Sequence, residues 1–146
     1  MVATPERKQS LTLQTSMNEQ HKQFQNALEE LNTLPNPDKV RFLEDLLFYF
    51  TISSRGIWSD EKVSEFEKVE AFKWLNELYH RIWNIRFELE QEKSNDGITR
   101  LYENMKFYGE QSELLRVHLV PTTLGAFRNF KVKQQESDAP NNYLPK

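Results

Sequence analysis

The chain has 146 residues, a formal net charge of -3 at pH 7 and no cysteine, which excludes disulfides, thiol catalysis and cysteine-ligated metal sites. The acidic balance argues against nucleic acid or an anionic membrane as a partner, and no apolar run is long enough for a spanning helix or a signal core. With only 4 Gly and 6 Pro, the sequence lacks the turn residues that sheets need. We therefore predict an all-α protein of the cytoplasm.

The N-terminal part is predicted to be a flexible arm followed by a helix. Residues 1–15 are polar and weakly patterned, so we assign them to the arm. A bundle domain is predicted over residues 16–120. Its first helix, Ser16–Thr33, is indicated by apolar residues and His21 recurring at steps of four and three, and it ends before Pro35.

A second helix is predicted over Asp38–Ser54. Asn36 is suited to the N-cap and Pro37 to the first helical position. Arg55 and Gly56 follow as a cation in the last turn and a glycine just beyond it, which is typical of a helix C-terminus. This arrangement predicts a tight corner at residue 56.

The third helix, predicted over residues 60–93, is the most informative part of the chain. Trp58 is spaced as a hydrophobic staple around a Ser59 cap, while Ser64 and Glu67 form a capping box, so either serine can start the helix. The helix carries a regular apolar seam made of Ala71, Leu75, Leu78, Ile82, Ile85 and Leu89. A second apolar stripe is made of Val69, Phe72, Tyr79, Trp83 and Phe87. Either this helix is central in its own bundle, or one stripe contacts another chain.

A fourth helix is predicted from Ile98 to Leu119, after a short polar turn over residues 94–97. Ser112 interrupts its seam, and Pro121 is predicted to end it. The resulting fold class is an antiparallel up-down four-helix bundle. Residues 121–133 are predicted to be a semi-ordered segment that packs on the bundle, and residues 134–146 a disordered tail.

Two groups of residues are candidates for a metal or ligand site. Glu77 and His80 form one Glu-x-x-His, whereas di-iron bundles carry that motif twice, and both residues fall on the polar face of their helix. We therefore assign no metal, no cofactor and no catalytic residue. The alternative hypothesis is a small-ligand or metal site inside the bundle, around His21, Tyr108 and Ser112.

The leading hypothesis is a non-enzymatic protein that acts by association with another protein or with a second copy of itself. Aromatic and charged residues on the second and third helices have the composition of interface centres. The predicted contact residues are Tyr49, Arg55, Trp58, Phe72, Glu77, Tyr79, His80, Arg81 and Trp83. Such a protein would be an adaptor, an inhibitor or an immunity or antitoxin-like factor.

Overall fold

The computed structural model describes the backbone of residues 5–138 and the side chains of residues 18–136. Over this part of the chain there are five helices and no strand. The helices are α1 (Pro5–Asn32), α2 (Asn36–Ser59), α3 (Glu65–Glu90), α4 (Gly97–Gln111) and α5 (Glu113–Asp138). The all-α prediction is confirmed, but the number of helices is five instead of four.

The first helix begins earlier than predicted. α1 starts at Pro5, so the stretch up to residue 15, for which a flexible arm was predicted, is helical. This stretch has no glycine and no further proline, and it contains Glu, Arg, Lys, Gln and Leu, which have high helix propensity. A proline in the first turn costs nothing, because its missing N–H has no intrahelical acceptor there.

Both ends of α2 differ from the prediction. Pro35 is the N-cap, in extended conformation, so Asn36 and Pro37 are already helical. At the other end the helix continues through Gly56, which has no positive φ, and ends at Ser59. Ile57, which follows Gly56, is buried within this additional turn, and its burial favours the continued helix.

The ends of α3 follow local capping rules. The helix begins after Ser64 and not at residue 60 as predicted, because the Ser64 hydroxyl accepts from the Glu67 N–H and donates to the Glu67 carboxylate, both at 3.2 Å. The C-terminus is a Schellman motif, in which the Lys93 N–H donates to the Glu88 carbonyl at 3.0 Å. Its left-handed residue is Glu92, with φ 56°, a position that usually holds glycine.

The predicted fourth helix is divided into α4 and α5 at Ser112. This residue is extended, and its hydroxyl accepts from the Leu115 N–H at 3.2 Å, so it is the N-cap of α5. Pro121 lies within α5 and does not end it, contrary to the prediction. The proline ring is exposed, and the segments predicted to be semi-ordered and disordered are helical up to Asp138. Residues 139–146 of the predicted tail lie outside the described part.

The core is organised around α5. This helix contacts all four of the others, and its buried positions include the small residues Thr123 and Ala126 as well as Leu119 and Phe130. α3 packs mainly against α2 and α4. The central helix of the bundle is therefore α5, and the second stripe of α3 needs another explanation.

Candidate protein-binding surface on α3

The two stripes of α3 have different environments. The regular seam from Ala71 to Leu89 is buried, as predicted. The second stripe is divided: Phe72 and Tyr79 are half-buried against α2, while Val69, Trp83 and Phe87 are exposed. Only part of the aromatic excess is used inside the chain.

The half-buried residues belong to the seam between α2 and α3. The Tyr79 hydroxyl hydrogen-bonds to the Leu47 carbonyl and to the Thr51 hydroxyl. From the sequence, Trp58 is either a hydrophobic staple or a contact residue. In the structure its ring packs edge-on against Phe72, with ring centroids 5.2 Å apart. The Trp58 side chain nevertheless remains exposed, so it widens the apolar edge beside α3.

The outward side of α3 exposes large apolar side chains near both of its ends. The exposed fractions are 76% for Phe66, 61% for Val69, 46% for Trp83 and 56% for Phe87. The Arg86 guanidinium lies 5.0 Å from the Trp83 ring centroid, a cation–π contact that covers one part of the indole. Exposed apolar side chains that share one side of a helix mark a candidate binding surface, and α2 also exposes the pair Phe48 and Ile52.

A single line of exposed residues follows this side of the helix, and we call it the outer row. Its members recur at alternating steps of four and three, and they are Val69, Lys73, Asn76, His80, Trp83 and Phe87. All six are exposed. The ends of the outer row are apolar and its middle is polar.

The predicted polar contact residues are not all on the outer row. Glu77 and His80 are exposed, as their place on the polar face predicts. Arg81 instead leans toward α4, where its Nε donates to the Tyr108 hydroxyl at 3.4 Å. That hydrogen bond raises the pKa of Arg81, and Glu77 adds a smaller effect in the same direction. Arg81 therefore lies at the α4 edge of the surface.

Two residues assigned to the contact surface from α2 have other neighbours. Tyr49 is half-buried, and its ring would lie 3.8 Å from a methyl group placed on Gly125, so it packs on α5. It is thus separated from the aromatic residues of α3. Arg55 is exposed near the end of α2.

The alternative ligand site is not assembled. His21, predicted on a buried seam, is exposed at the rim of a groove of about 620 Å³ between α1, α4 and α5. Tyr108 and Ser112 do not line this groove. The Tyr108 hydroxyl faces Arg81, and the Ser112 hydroxyl is occupied by capping. The three residues therefore do not form one site.

Of the six residues of the outer row, only His80 and Trp83 are among the predicted contact residues. Asn76 was not singled out, and neither was the strongly exposed Phe66. The signal for Asn76 was present, because it continues the four-three spacing. It was overlooked because the stripe was traced through apolar residues alone.

The described side chains offer neither a metal site nor a membrane-spanning helix. Among residues 18–136, no three His, Asp or Glu side chains lie close enough to hold a metal ion. None of the helices in the described range is long and apolar enough to cross a membrane. In comparisons with protein-family models, with curated proteins and with solved structures, nothing matched this chain.

Proposed function

We propose that the protein acts by binding another protein chain through the outward side of α3. The observation that supports this proposal is the exposure of Phe66, Val69, Trp83 and Phe87 along one helix whose opposite side already packs in the core. Burying the exposed part of each side chain would release less than the roughly 1.5–3 kcal/mol of a fully exposed one, before the costs of association.

The residue types on this surface suit an interface. Tryptophan is enriched among residues that dominate binding energy, and Trp83 lies between apolar neighbours and charged ones. Arg86 also forms an ion pair with Glu44 at 2.7 Å across the seam, which holds the guanidinium beside the indole. A partner would therefore contact an aromatic side chain that Arg86 holds in place and that has charged residues beside it. Known interfaces have a similar arrangement, with aromatic residues at the centre and polar residues at the rim.

The proposed role is non-enzymatic: an adaptor, an inhibitor or an immunity or antitoxin-like factor would each work by such a contact. The contact surface differs from the one predicted from the sequence. It includes Trp83 near one end, Trp58 and Phe72 at one edge and His80 and Glu77 in the polar middle, and it omits Tyr49.

The proposal is tested by making the surface polar without disturbing the core. In Trp83→Ser/Phe87→Ser, two exposed apolar groups are removed, and the free energy of unfolding should change little because neither is buried. Phe107→Ser is the matched control, since Phe107 on α4 is half-exposed but lies on another part of the molecule. Immobilised wild-type and variant chains are compared for capture of native-lysate proteins.

The expected result is that the same captured bands are lost with Trp83→Ser/Phe87→Ser and kept with Phe107→Ser. Equal capture by all three chains would overturn the proposal. A folded double variant is required, and urea denaturation checks it.

A further inference from the structure

We infer that the outer row of α3 is complementary to itself and that its partner is a second copy of this chain, with the two α3 helices antiparallel across a two-fold axis. This inference rests on the proposed function, because it names the partner of the same surface. The inference requires that the outer row be exposed in the single chain, and all six of its residues are exposed.

The spacing of the outer row is that of a coiled-coil seam. Steps of four and three over residues 69–87 return a side chain to the same line every 3.5 residues, which is the repeat that lets two helices stay in contact along their length. The buried seam of α3 has the same kind of spacing. α3 therefore carries two helix-packing surfaces. One of them packs against α2 and α4, and no helix within the described part of the chain covers the other.

An antiparallel pairing is centred at the level of Leu78. A two-fold axis at this level pairs each residue with a residue of the second copy. The two residues of a pair lie the same number of positions from residue 78, one before it and one after it. Three distinct layers result: Val69 with Phe87, Lys73 with Trp83, and Asn76 with His80, where the second residue of each pair belongs to the second copy. Each layer occurs twice in the dimer, because a two-fold contact is isologous.

Each layer joins groups that attract one another. Val69 and Phe87 bury apolar area at both ends of the row. The Lys73 ammonium lies 4.8 Å from the centroid of the Trp74 ring in the single chain, and in the dimer it would move to the indole of Trp83 in the second copy, since indole is the aromatic ring that attracts cations most strongly. Asn76 and His80 form a central polar layer that can hydrogen-bond, and one such layer fixes register in coiled coils.

The same residues disfavour a parallel pairing. In a parallel dimer in register, each residue meets its own copy, so Lys73 would face Lys73 and His80 would face His80. The first of these is a contact of like charges, which is destabilising. Orientation is therefore determined by the chemistry of the row and not only by its apolar residues.

One flank of the antiparallel pair is unfavourable. Glu77 follows the axis-proximal residue Asn76 by one position, so the Glu77 carboxylates of the two copies lie on the same flank close to the axis. Neither has an ion pair within 4.0 Å among the described residues. Their repulsion weakens the dimer and makes its population depend on protein concentration.

The first test is disulfide cross-linking, for which the absence of native cysteine is an advantage. In Lys73→Cys/Trp83→Cys, the two positions are ten residues apart on one helix, about 15 Å, which is too far for an intramolecular bond. Across the two-fold axis they share a layer. Under oxidation the double variant should form a covalent dimer, while Lys73→Cys and Trp83→Cys alone should stay monomeric.

Three outcomes would overturn the inference. Dimerisation of Trp83→Cys alone would indicate a parallel contact, and equal cross-linking of all three variants would indicate random collision. A monomeric wild-type mass by light scattering at the highest soluble concentration, together with no cross-link in the double variant, would exclude the second copy as partner. In that last case the proposed function still stands if Trp83→Ser/Phe87→Ser abolishes capture of a different protein.

The second test uses the repulsive flank. Glu77→Gln should lower the dissociation constant of the dimer by about twofold to fivefold, because it removes a like-charge contact near the axis. Glu103→Gln is the control, since Glu103 is an exposed carboxylate on α4 that changes the net charge equally. A dissociation constant that shifts equally in both variants would contradict the proposed position of the axis.

Discussion

α3 and α5 are both 26 residues long, and they relate to the core in opposite ways. α3 has the clearer apolar pattern and lies at the periphery of the bundle, with large side chains in solvent. α5 contains Pro121 and Gly125 and a weaker pattern, yet it contacts every other helix. Apolar patterning thus predicts that a segment is helical more reliably than it predicts where the helix lies.

Side-chain size explains the difference. A helix surrounded by four others needs small residues where neighbours approach closely, and α5 supplies Thr123, Gly125 and Ala126. The Thr123 hydroxyl is satisfied within the helix, because it donates to the Leu119 carbonyl at 2.7 Å. Buried small and polar residues can therefore mark a central helix as well as leucines do.

The contrast between α3 and α5 would be wrong if an exposed aromatic side chain of α3 contributed as much to the free energy of unfolding as a buried aromatic side chain of α5. Phe130→Ala should cost about 3–5 kcal/mol, because Phe130 is buried and packs edge-on against Phe42. Phe87→Ala should cost less than about 1 kcal/mol, because Phe87 is largely exposed. Urea denaturation at low protein concentration measures both, and similar losses would contradict the assignment of Phe87 to a free surface.

A smaller effect is expected in the seam between α2 and α3. Tyr79→Phe removes a hydroxyl that bonds to the Leu47 carbonyl and the Thr51 hydroxyl, and we expect a loss of about 1 kcal/mol in unfolding free energy. Tyr102→Phe is the control, because no hydrogen bond from its hydroxyl is present among residues 18–136. Should the two substitutions have the same effect, Tyr79 would not bridge the helices.

The C-terminus of α3 offers a stabilising change. Glu92 occupies the left-handed position of a Schellman motif, where glycine avoids the Cβ clash. Glu92→Gly should raise the free energy of unfolding by about 1 kcal/mol, whereas Glu92→Ala, which keeps the Cβ, should change it little. Thermal denaturation of the two variants separates this backbone effect from loss of the carboxylate.

The smallest effect concerns the turn before α4. The Ser94 hydroxyl hydrogen-bonds to the Asp96 carboxylate and lowers its pKa, with a further contribution from Arg100. A lowered pKa in the folded state stabilises the fold above the ordinary Asp pKa of about 3.9, and this contribution is lost as the pH falls through the folded value. An NMR titration should find the Asp96 pKa below normal and closer to normal in Ser94→Ala. An unchanged pKa in the variant would exclude the hydroxyl as its cause.

The sequence predicted which segments are helical better than it predicted where each helix begins and ends. The buried seam of α3 and an N-cap at Ser64 are read from local spacing and are both present, but the predicted start of this helix at residue 60 is wrong. Gly56 and Pro121 were misread because both are local breaking signals that tertiary burial overrides. For Gly56 the overriding contact is the burial of Ile57, which a sequence pattern does not show.

The candidate surface was predicted in part. Trp83, His80 and Glu77 lie on or beside the outer row, and their spacing alone places them on one side of a helix. Tyr49 was grouped with them only because it is an aromatic residue of the neighbouring second helix. Its separation depends on which helix packs beside α2, and that information is not local.

The contact pattern of α1 has a consequence for synthesis of the chain. Its extensive contacts are with α4 and α5, including an ion pair between Glu30 and Lys131 at 2.5 Å. α1 precedes both of these helices in the chain, so during synthesis it finds these packing partners only after α4 and α5 have been made. Until then Phe24, Leu28 and Leu31 remain open to chaperones or to misassembly with other nascent chains.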